Sequence, residues 1–92
     1  MKHIVYETEP DKASDILLSL ESAHLEVWKT EDGTVCVDYF GAEVKDGPVL
    51  KGVFGRGGTF EGACYDYLAQ IRGKTLVFNA GSSARREVAV LG

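Results

Sequence analysis

Apolar residues recur at helical spacing near the start of the chain. Four of them follow the i, i+3, i+4, i+7 rule and form one stripe: Ala13, Ile16, Leu17 and Leu20. Before the stripe, Thr8 with Asp11 three residues on approximates a capping box, and Pro10 suits a first helical turn. The pattern predicts a helix that begins at these residues and ends near Ala23.

A longer apolar stripe occupies the second half of the chain. It runs over three turns through six residues: Phe60, Ala63, Cys64, Tyr67, Leu68 and Ile71. Thr59 is the expected N-cap, Arg72 complements the helix dipole at the other end, and Gly73 supplies a left-handed residue that stops the helix. We therefore predict a second helix between Thr59 and Gly73.

Two β-rich segments flank Asp32-Gly33, a pair typical of a two-residue type I′ hairpin turn. Pairing outward from that turn gives two predicted faces. One carries Trp28, Val35, Val37 and Tyr39, and the other carries Leu25, Val27, Cys36 and Phe40. Because both faces are substantially apolar, we expect one to pack on the helices and the other to be covered by a second subunit, a partner or a ligand.

The remaining strands are predicted at residues 3–6, 49–54, 75–78 and 87–91, with a turn at 46–48. Gly52 indicates a bulge or a close approach within the third of the predicted central strands. The element order is then β-α-β-β-β-α-β-β. This order is typical of an α+β domain with a mainly antiparallel sheet and two helices on one face, and residues 1–92 make one domain.

Composition and charge narrow the functional classes. The chain has 92 residues, 45% of them hydrophobic, and a net charge of −4. Residues 1–50 carry eleven acids and four bases, whereas residues 51–92 carry three acids and six bases. A nucleic-acid-binding protein is normally basic, so direct nucleic-acid binding is not expected. The charge asymmetry instead suggests protein partners or self-association into a homo-oligomer.

No pattern in the sequence indicates a metal, a cofactor or a membrane. Cys36 and Cys64 lack a CxxC arrangement or a histidine at ligand spacing, so both are expected to be small buried residues. The N-terminus has no apolar h-region, and no apolar run reaches membrane-spanning length. We expect a cytoplasmic protein without a cofactor.

The glycine-rich segment that precedes the second helix has the features of an anion site. Backbone amides, a helix dipole, a hydroxyl and a guanidinium come together there, in Gly55, Arg56, Gly57, Gly58 and Thr59. Nearby cations that would assist a phosphate are Lys74, Arg85 and Arg86. The alternative is a tight turn from strand to helix with a threonine cap, since neither a Walker loop nor a dinucleotide loop is spelled.

Catalytic constellations are not indicated. His3 and His24 have no neighbouring partner of the kind that a catalytic pair requires, and Ser82-Ser83 lies in a loop without a nucleophile-elbow pattern. Asp66 is expected to be a solvated acid or a contact residue. The sequence therefore predicts a binding protein and not an enzyme.

A resemblance gives this prediction a context. The segment resembles the G-x-G-x-T-x-E-x-A helix followed by I-x-G-K-x-L-V-F in short phage and prophage proteins of Firmicutes. It matches at Gly55, Gly57, Thr59, Glu61, Ala63, Ile71, Gly73, Lys74, Leu76, Val77 and Phe78, in about a quarter of the chain. Small phage proteins of this size often inhibit host defence by binding a nuclease or sequestering a nucleotide signal, and the resemblance implies that context here.

The strand, glycine-rich turn and capped helix are also similar to HicB-type antitoxins and to double-stranded-RNA-binding domains. The lysines that the RNA-binding domains place at the helix start are replaced by Glu61 and Gly62. This difference argues against RNA binding. Base stacking on Trp28 and Tyr39 is opposed by the acids around them.

The leading hypothesis is a phage-type anti-defence inhibitor, such as an anti-CRISPR protein, that contacts a basic surface of a host defence protein or nuclease. The expected contacts are Glu7, Glu9, Asp11, Asp15, Glu26, Glu31, Asp32 and Asp38, with Trp28 and Tyr39. A second hypothesis is a nucleotide sponge that uses Arg56, Thr59 and the arginine pair. A third is a structural homo-oligomer that uses exposed strand edges.

Overall fold

The computed structural model describes the backbone of residues 2–4 and all of residues 12–91. The elements in chain order are β1 (Lys2–Ile4), α1 (Ala13–Leu18), β2 (Leu25–Lys29), β3 (Val35–Tyr39), β4 (Ala42–Asp46), β5 (Val49–Lys51), β6 (Gly55–Gly57), α2 (Phe60–Ile71), β7 (Thr75–Phe78) and β8 (Arg86–Val90). The α+β class is confirmed.

The strands form two sheets. One has the order β1-β8-β7-β4-β5 and the other the order β2-β3-β6. Neighbouring strands are antiparallel, except that β1 lies parallel to β8. Helix α2 packs against β6 and β3, and α1 contacts α2. One hydrophobic cluster joins both helices to both sheets, with members on β3, β4, β7 and β8.

Helix α2 begins and ends as the sequence predicts. The Thr59 side chain accepts a hydrogen bond from the Gly62 N–H, and Gly73 has the left-handed φ of 78° after the last turn. Five of the six residues of the predicted stripe are buried, whereas Phe60 remains 38% exposed at the first turn. The helix therefore covers the core from its second turn onward.

The segment Gly55–Gly57, predicted as a turn, is instead the strand β6. Its glycines face α2 so closely that a Cβ on Gly55 would lie 2.2 Å from the Ala63 carbonyl oxygen, and one on Gly57 would lie 2.6 Å from the Ala63 nitrogen. Any side chain would push the helix away from the strand. The glycines therefore set the distance between α2 and β6.

Aromatic side chains fill the centre of the core. Tyr39 lies between Tyr67 and Phe78, with ring centroids 5.7 Å and 5.9 Å away. Its hydroxyl donates to the Leu17 carbonyl oxygen at 2.6 Å, which ties β3 to α1. Tyr39 was expected at a partner interface, and this prediction is wrong because the side chain is 1% exposed.

The β2–β3 hairpin forms, but its register differs by one residue from the predicted one. Trp28 pairs with Cys36, and Val27 pairs with Val37. A type I′ turn needs positive φ at both central residues, whereas Gly33 has a positive φ and Asp32 does not. The Thr30 N–H donates to the Thr34 carbonyl, which closes a three-residue turn. Trp28 consequently lies on the face opposite to the predicted one.

The ends of the first helix and the number of central strands also differ from the predictions. Helix α1 begins at Ala13 after an extended Lys12 and ends at Leu18, five residues before Ala23. The expected cap at Thr8, Pro10 and Asp11, and the end of the first strand, lie outside the described residues. Strands β4 and β6 were not predicted from the sequence, and each is a member of one of the two sheets. The hairpin turn at Gly47 and strand β7 are confirmed.

Candidate partner-binding face

The three-stranded sheet has one face turned away from α2, and we call it the outer face. Because Gly55 and Gly57 face the helix and pair with Val37 and Val35, the alternate residues of the same strands point outward. The outer face thus carries Glu26, Trp28, Cys36, Asp38 and Arg56. The outer face therefore bears two carboxylates, a tryptophan, a cysteine and an arginine, whereas valines and glycines occupy the centre of the inner face.

Two carboxylates lie side by side on this face. Glu26 on β2 pairs directly with Asp38 on β3. Burial, together with the adjacent Glu26 carboxyl, raises the pKa of Asp38 to about 7. The Asp38 Oδ1 atom is buried and accepts no hydrogen bond from the described residues. Ionisation of both carboxyls of the pair is therefore unfavourable, and a cation bound beside them would be stabilised.

The hairpin tip extends the acidic region. The Asp32 carboxylate accepts hydrogen bonds from the Thr30 hydroxyl and from the Thr34 N–H. These bonds lower the pKa of Asp32 to about 2, so the group is ionised throughout the physiological range. Glu31 is exposed beside it. The tip thus adds two carboxylates to the hairpin that carries the Glu26–Asp38 pair, with the Trp28–Cys36 pair between the two acidic positions.

An aromatic cleft lies between the tip and the sheet. The rings of Trp28 and Phe54 meet at a centroid distance of 5.7 Å, and the Arg56 guanidinium lies 5.2 Å from the Phe54 centroid. The cleft has a volume of about 410 Å³, and its lining includes Cys36 and Asp32. Cys36 is 1% exposed although it belongs to the outer face. Aromatic walls with acids at one rim suit a cationic side chain.

Phe54 belongs to this face and was not predicted there from the sequence. The available signal was the alternation of Phe54, Gly55, Arg56 and Gly57, which has the two-residue period of a strand with one glycine face. That period was masked because glycine pairs are more typical of turns.

The predicted acidic contacts divide into three groups. Glu26, Glu31, Asp32 and Asp38 come together with Trp28 around the β2–β3 hairpin. Asp15 lies in the first turn of α1, apart from that hairpin in the chain fold, and is exposed. Glu7, Glu9 and Asp11 lie outside the described residues. The structure therefore gathers half of the predicted acidic set, with the tryptophan, in one place.

The glycine-rich segment offers fewer free amides than a loop would. The Arg56 N–H donates to the Asp66 carboxylate at 2.9 Å. Glu61 occupies the first turn of α2, where it accepts hydrogen bonds from the Ser14 hydroxyl and N–H. Ser14 lowers the pKa of Glu61. The anion site stays a prediction, with two carboxylates close to the place proposed for it.

The cations expected to assist that site lie in different surroundings. Lys74 lines a separate cleft with Asp46 and Lys51. Arg85 forms an ion pair with Glu87 at 3.4 Å. The Arg86 guanidinium donates to the Ser22 carbonyl oxygen at 2.6 Å and stacks on Phe78 at 4.1 Å. The structure does not bring these three side chains to Arg56.

Reactive centres are not evident in the described part of the chain. Both cysteines are buried and unpaired, and burial raises the pKa of Cys64 to about 11. Within residues 12–91, no group of three metal-ligating side chains is assembled. The same region has no helix long and apolar enough to cross a membrane.

Comparison with protein-family models, curated proteins and solved structures gave no match for this chain. The candidate site therefore rests on its own geometry.

Proposed function

We propose that this chain is a non-catalytic binding protein whose outer face and hairpin tip dock on a basic surface of another protein. The observation that carries the proposal is the clustering of Glu26, Glu31, Asp32 and Asp38 around Trp28 on one hairpin. Carboxylates arranged around an exposed aromatic residue suit a partner rich in lysine and arginine.

The energetics of the Glu26–Asp38 pair support a cationic partner. Two neighbouring carboxylates, one of which has a raised pKa, are destabilised in the free protein. A lysine or arginine at this place offsets the repulsion and lowers the pKa of Asp38, so its binding should strengthen as pH rises through about 7. The partner class that fits the sequence resemblance is a basic host defence protein or nuclease, which a phage-type inhibitor would occlude.

The experiment compares two variants that each replace three carboxylic acids. The face variant is Glu26→Gln, Glu31→Gln and Asp38→Asn, and the control variant is Glu21→Gln, Glu43→Gln and Asp46→Asn. Asp32 is left unchanged because it closes the hairpin turn.

Wild-type and variant proteins are immobilised and exposed to a bacterial lysate, and retained proteins are identified by mass spectrometry and assayed for nuclease inhibition. We expect a basic protein that the wild type and control variant retain, that the face variant loses, and that high salt releases. Equal retention by the face variant would contradict the proposal.

A nucleotide is the second candidate ligand, and the observation that favours it is the position of Arg56 beside Trp28 and Phe54 in one cleft. Base stacking and a guanidinium are both used for nucleotides. The ionised Asp32 at the rim opposes a phosphate. Thermal melting across a panel of nucleotides separates the candidates, because a bound nucleotide raises the midpoint with the logarithm of its concentration, whereas a protein-docking face leaves it unchanged.

A further inference from the structure

Strand β2 is the end strand of the three-stranded sheet, and within the described residues no strand pairs with its outer edge. The hydrogen bonds show which groups that edge presents. Phe40 donates to the His24 carbonyl at 2.8 Å, and Thr30 donates to the Thr34 carbonyl at 2.9 Å. Since bonding alternates along an antiparallel strand, even-numbered residues of β2 bond to β3. The N–H and C=O groups of Leu25, Val27 and Lys29 therefore point outward.

We propose that this edge receives an extended segment of the basic partner, which adds to β2 as a further antiparallel strand. The inference rests on the proposed function, because it specifies how the partner reaches the outer face. The mode is strand addition, in which backbone hydrogen bonds supply affinity and alternate side chains supply specificity.

Within the described residues no strand covers this edge and no proline interrupts it. Its five residues LEVWK include one acid and one base, and the base, Lys29, is at the end nearest the turn. Val27 is 52% exposed on the face turned toward α2, and Trp28 is 39% exposed on the outer face. An added strand would cover apolar surface on both sides of the sheet, which a partner that rests on one face alone would not do.

The charges near the edge specify the chemistry of the added strand. Glu26 is the edge residue of the Glu26–Asp38 pair, so a residue of the new strand opposite Glu26 joins both carboxylates on the outer face. A lysine or arginine there forms a favourable cross-strand pair. The neighbouring residue of the added strand lies opposite Val27, where an apolar side chain forms a favourable cross-strand pair with the valine. The segment that fits alternates basic and apolar residues.

A second copy of this chain fits the edge less well. Pairing two β2 strands in antiparallel register about Val27 places Glu26 opposite Trp28 of the other copy. The two Glu26 residues then occupy diagonal positions on one face, each with its own Asp38 beside it. Four carboxylates would collect where burial and one neighbouring carboxyl already raise the pKa of Asp38 to about 7. Charge therefore favours a basic strand from a different protein.

The test uses a blocked heptapeptide, Lys-Val-Lys-Val-Lys-Val-Lys, labelled for fluorescence anisotropy. Val27→Pro removes the outward N–H at the centre of the edge without removing a bond to β3, and proline is tolerated at such a position. Val27→Thr is the matched control, because it keeps the N–H and the branched shape. We expect Val27→Pro to bind the peptide at least about tenfold more weakly than Val27→Thr.

A peptide-side control keeps the test valid if Val27→Pro does not fold. In an antiparallel added strand, the valines opposite Val27 and its edge neighbours donate to β2, whereas the lysine N–H groups point away. N-methylation of the valines should abolish binding to the wild type, and N-methylation of the lysines should preserve it. Equal effects of the two methylations would overturn the proposal.

The other possible outcomes distinguish a failure of strand addition from a failure of the proposed binding function. If the three-carboxylate face variant loses the peptide while Val27→Pro and Val27→Thr bind it equally, strand addition is wrong and acidic docking stands. If the wild type does not bind the peptide, strand addition is also overturned, and the lysate experiment decides the function separately. A wild-type dimer in sedimentation that Val27→Pro converts to a monomer would assign the edge to a second copy and contradict the proposal.

Discussion

The backbone N–H of Tyr39 donates a hydrogen bond to the phenolic oxygen of Tyr67 across 3.1 Å in the core. Tyr39 is the last residue of β3, so this bond fastens the end of the strand to the middle of α2. Replacing Tyr67 with Phe leaves a buried N–H without its partner, which we expect to cost about 1–3 kcal/mol of unfolding free energy. Urea denaturation measures the loss.

The control for Tyr67→Phe is Tyr65→Phe. Tyr65 lies on the same helix and is 70% exposed, so removal of its hydroxyl should leave the urea midpoint unchanged within error. A loss of similar size in both variants would show that the Tyr39–Tyr67 bond contributes little.

The close contact between β6 and α2 predicts a large difference between neighbouring glycines. Gly55→Ala would place a methyl group against the helix backbone, whereas a Cβ on Gly58 has no atom within 4 Å. We expect Gly55→Ala to lower the free energy of unfolding by about 3 kcal/mol or more, and Gly58→Ala to change it by less than about 1 kcal/mol. Thermal melting of the two single variants compares them directly, and similar midpoints would contradict the observed packing.

The Asp38 carboxyl should make the protein less stable as pH rises. Its pKa is raised from 3.8 to about 7, so the folded state disfavours the ionised form that the unfolded state adopts above pH 4. The resulting loss of stability develops between about pH 4 and about pH 7 and is complete above about pH 7. Asp38→Asn should therefore raise the melting temperature by a few degrees at pH 8 and have little effect near pH 4.

Two further variants, Glu26→Gln and Glu43→Gln, test whether the neighbouring carboxyl contributes to the raised pKa of Asp38. The first removes the carboxyl next to Asp38 and should lower the pKa of Asp38, which a ¹³C carboxyl titration reads directly. The second removes a carboxyl from the other sheet and should leave the Asp38 titration in place. An Asp38 titration near its ordinary value in the wild type would contradict the burial of this carboxyl beside Glu26.

Cys36 offers a probe of the aromatic cleft. It is 1% exposed and lines the cleft beside Trp28, with which it pairs across the strands. Trp28→Ala should open a path to the thiol and raise its labelling rate by an aromatic disulfide reagent at least about tenfold. Cys64 is the internal reference, because α2 keeps it in the core. Equal acceleration of both thiols would indicate general unfolding instead of an opened cleft.

The helical stripe and the capping signals were sufficient to predict α2, because Thr59 and Gly73 mark its ends by chemistry that is local to the chain. Strand β7 and the turn at Gly47 follow for the same reason, whereas the strand predicted over 49–54 ends at Lys51. The predicted register of the β2–β3 hairpin was wrong although its cause is also local, because the Asp-Gly pair alone favoured a two-residue turn. The Asp32 carboxylate accepts hydrogen bonds from Thr30 and Thr34, which stabilises a three-residue turn. Trp28 therefore lies on the face opposite to the predicted one.

The candidate site was predictable in charge but not in shape. Counting acids placed the negative region in the N-terminal half of the chain, but neither the place of Phe54 on the outer face nor the burial of Tyr39 was predicted. Both depend on which side of β6 meets α2, and that is decided by two backbone approaches that only glycine permits. The preference of glycine pairs for turns is a local signal, and it does not predict this long-range packing between β6 and α2.

The order in which the chain visits its two sheets has a mechanical consequence. It leaves the five-stranded sheet after β1, builds β2 and β3, returns for β4 and β5, crosses back for β6 and finishes with β7 and β8. A cut in the loop between β3 and β4, or in the loop between β5 and β6, leaves neither fragment with a full set of strands for one sheet. The molecule should consequently unfold in one cooperative step, and fragments divided at such a loop should regain structure only when mixed.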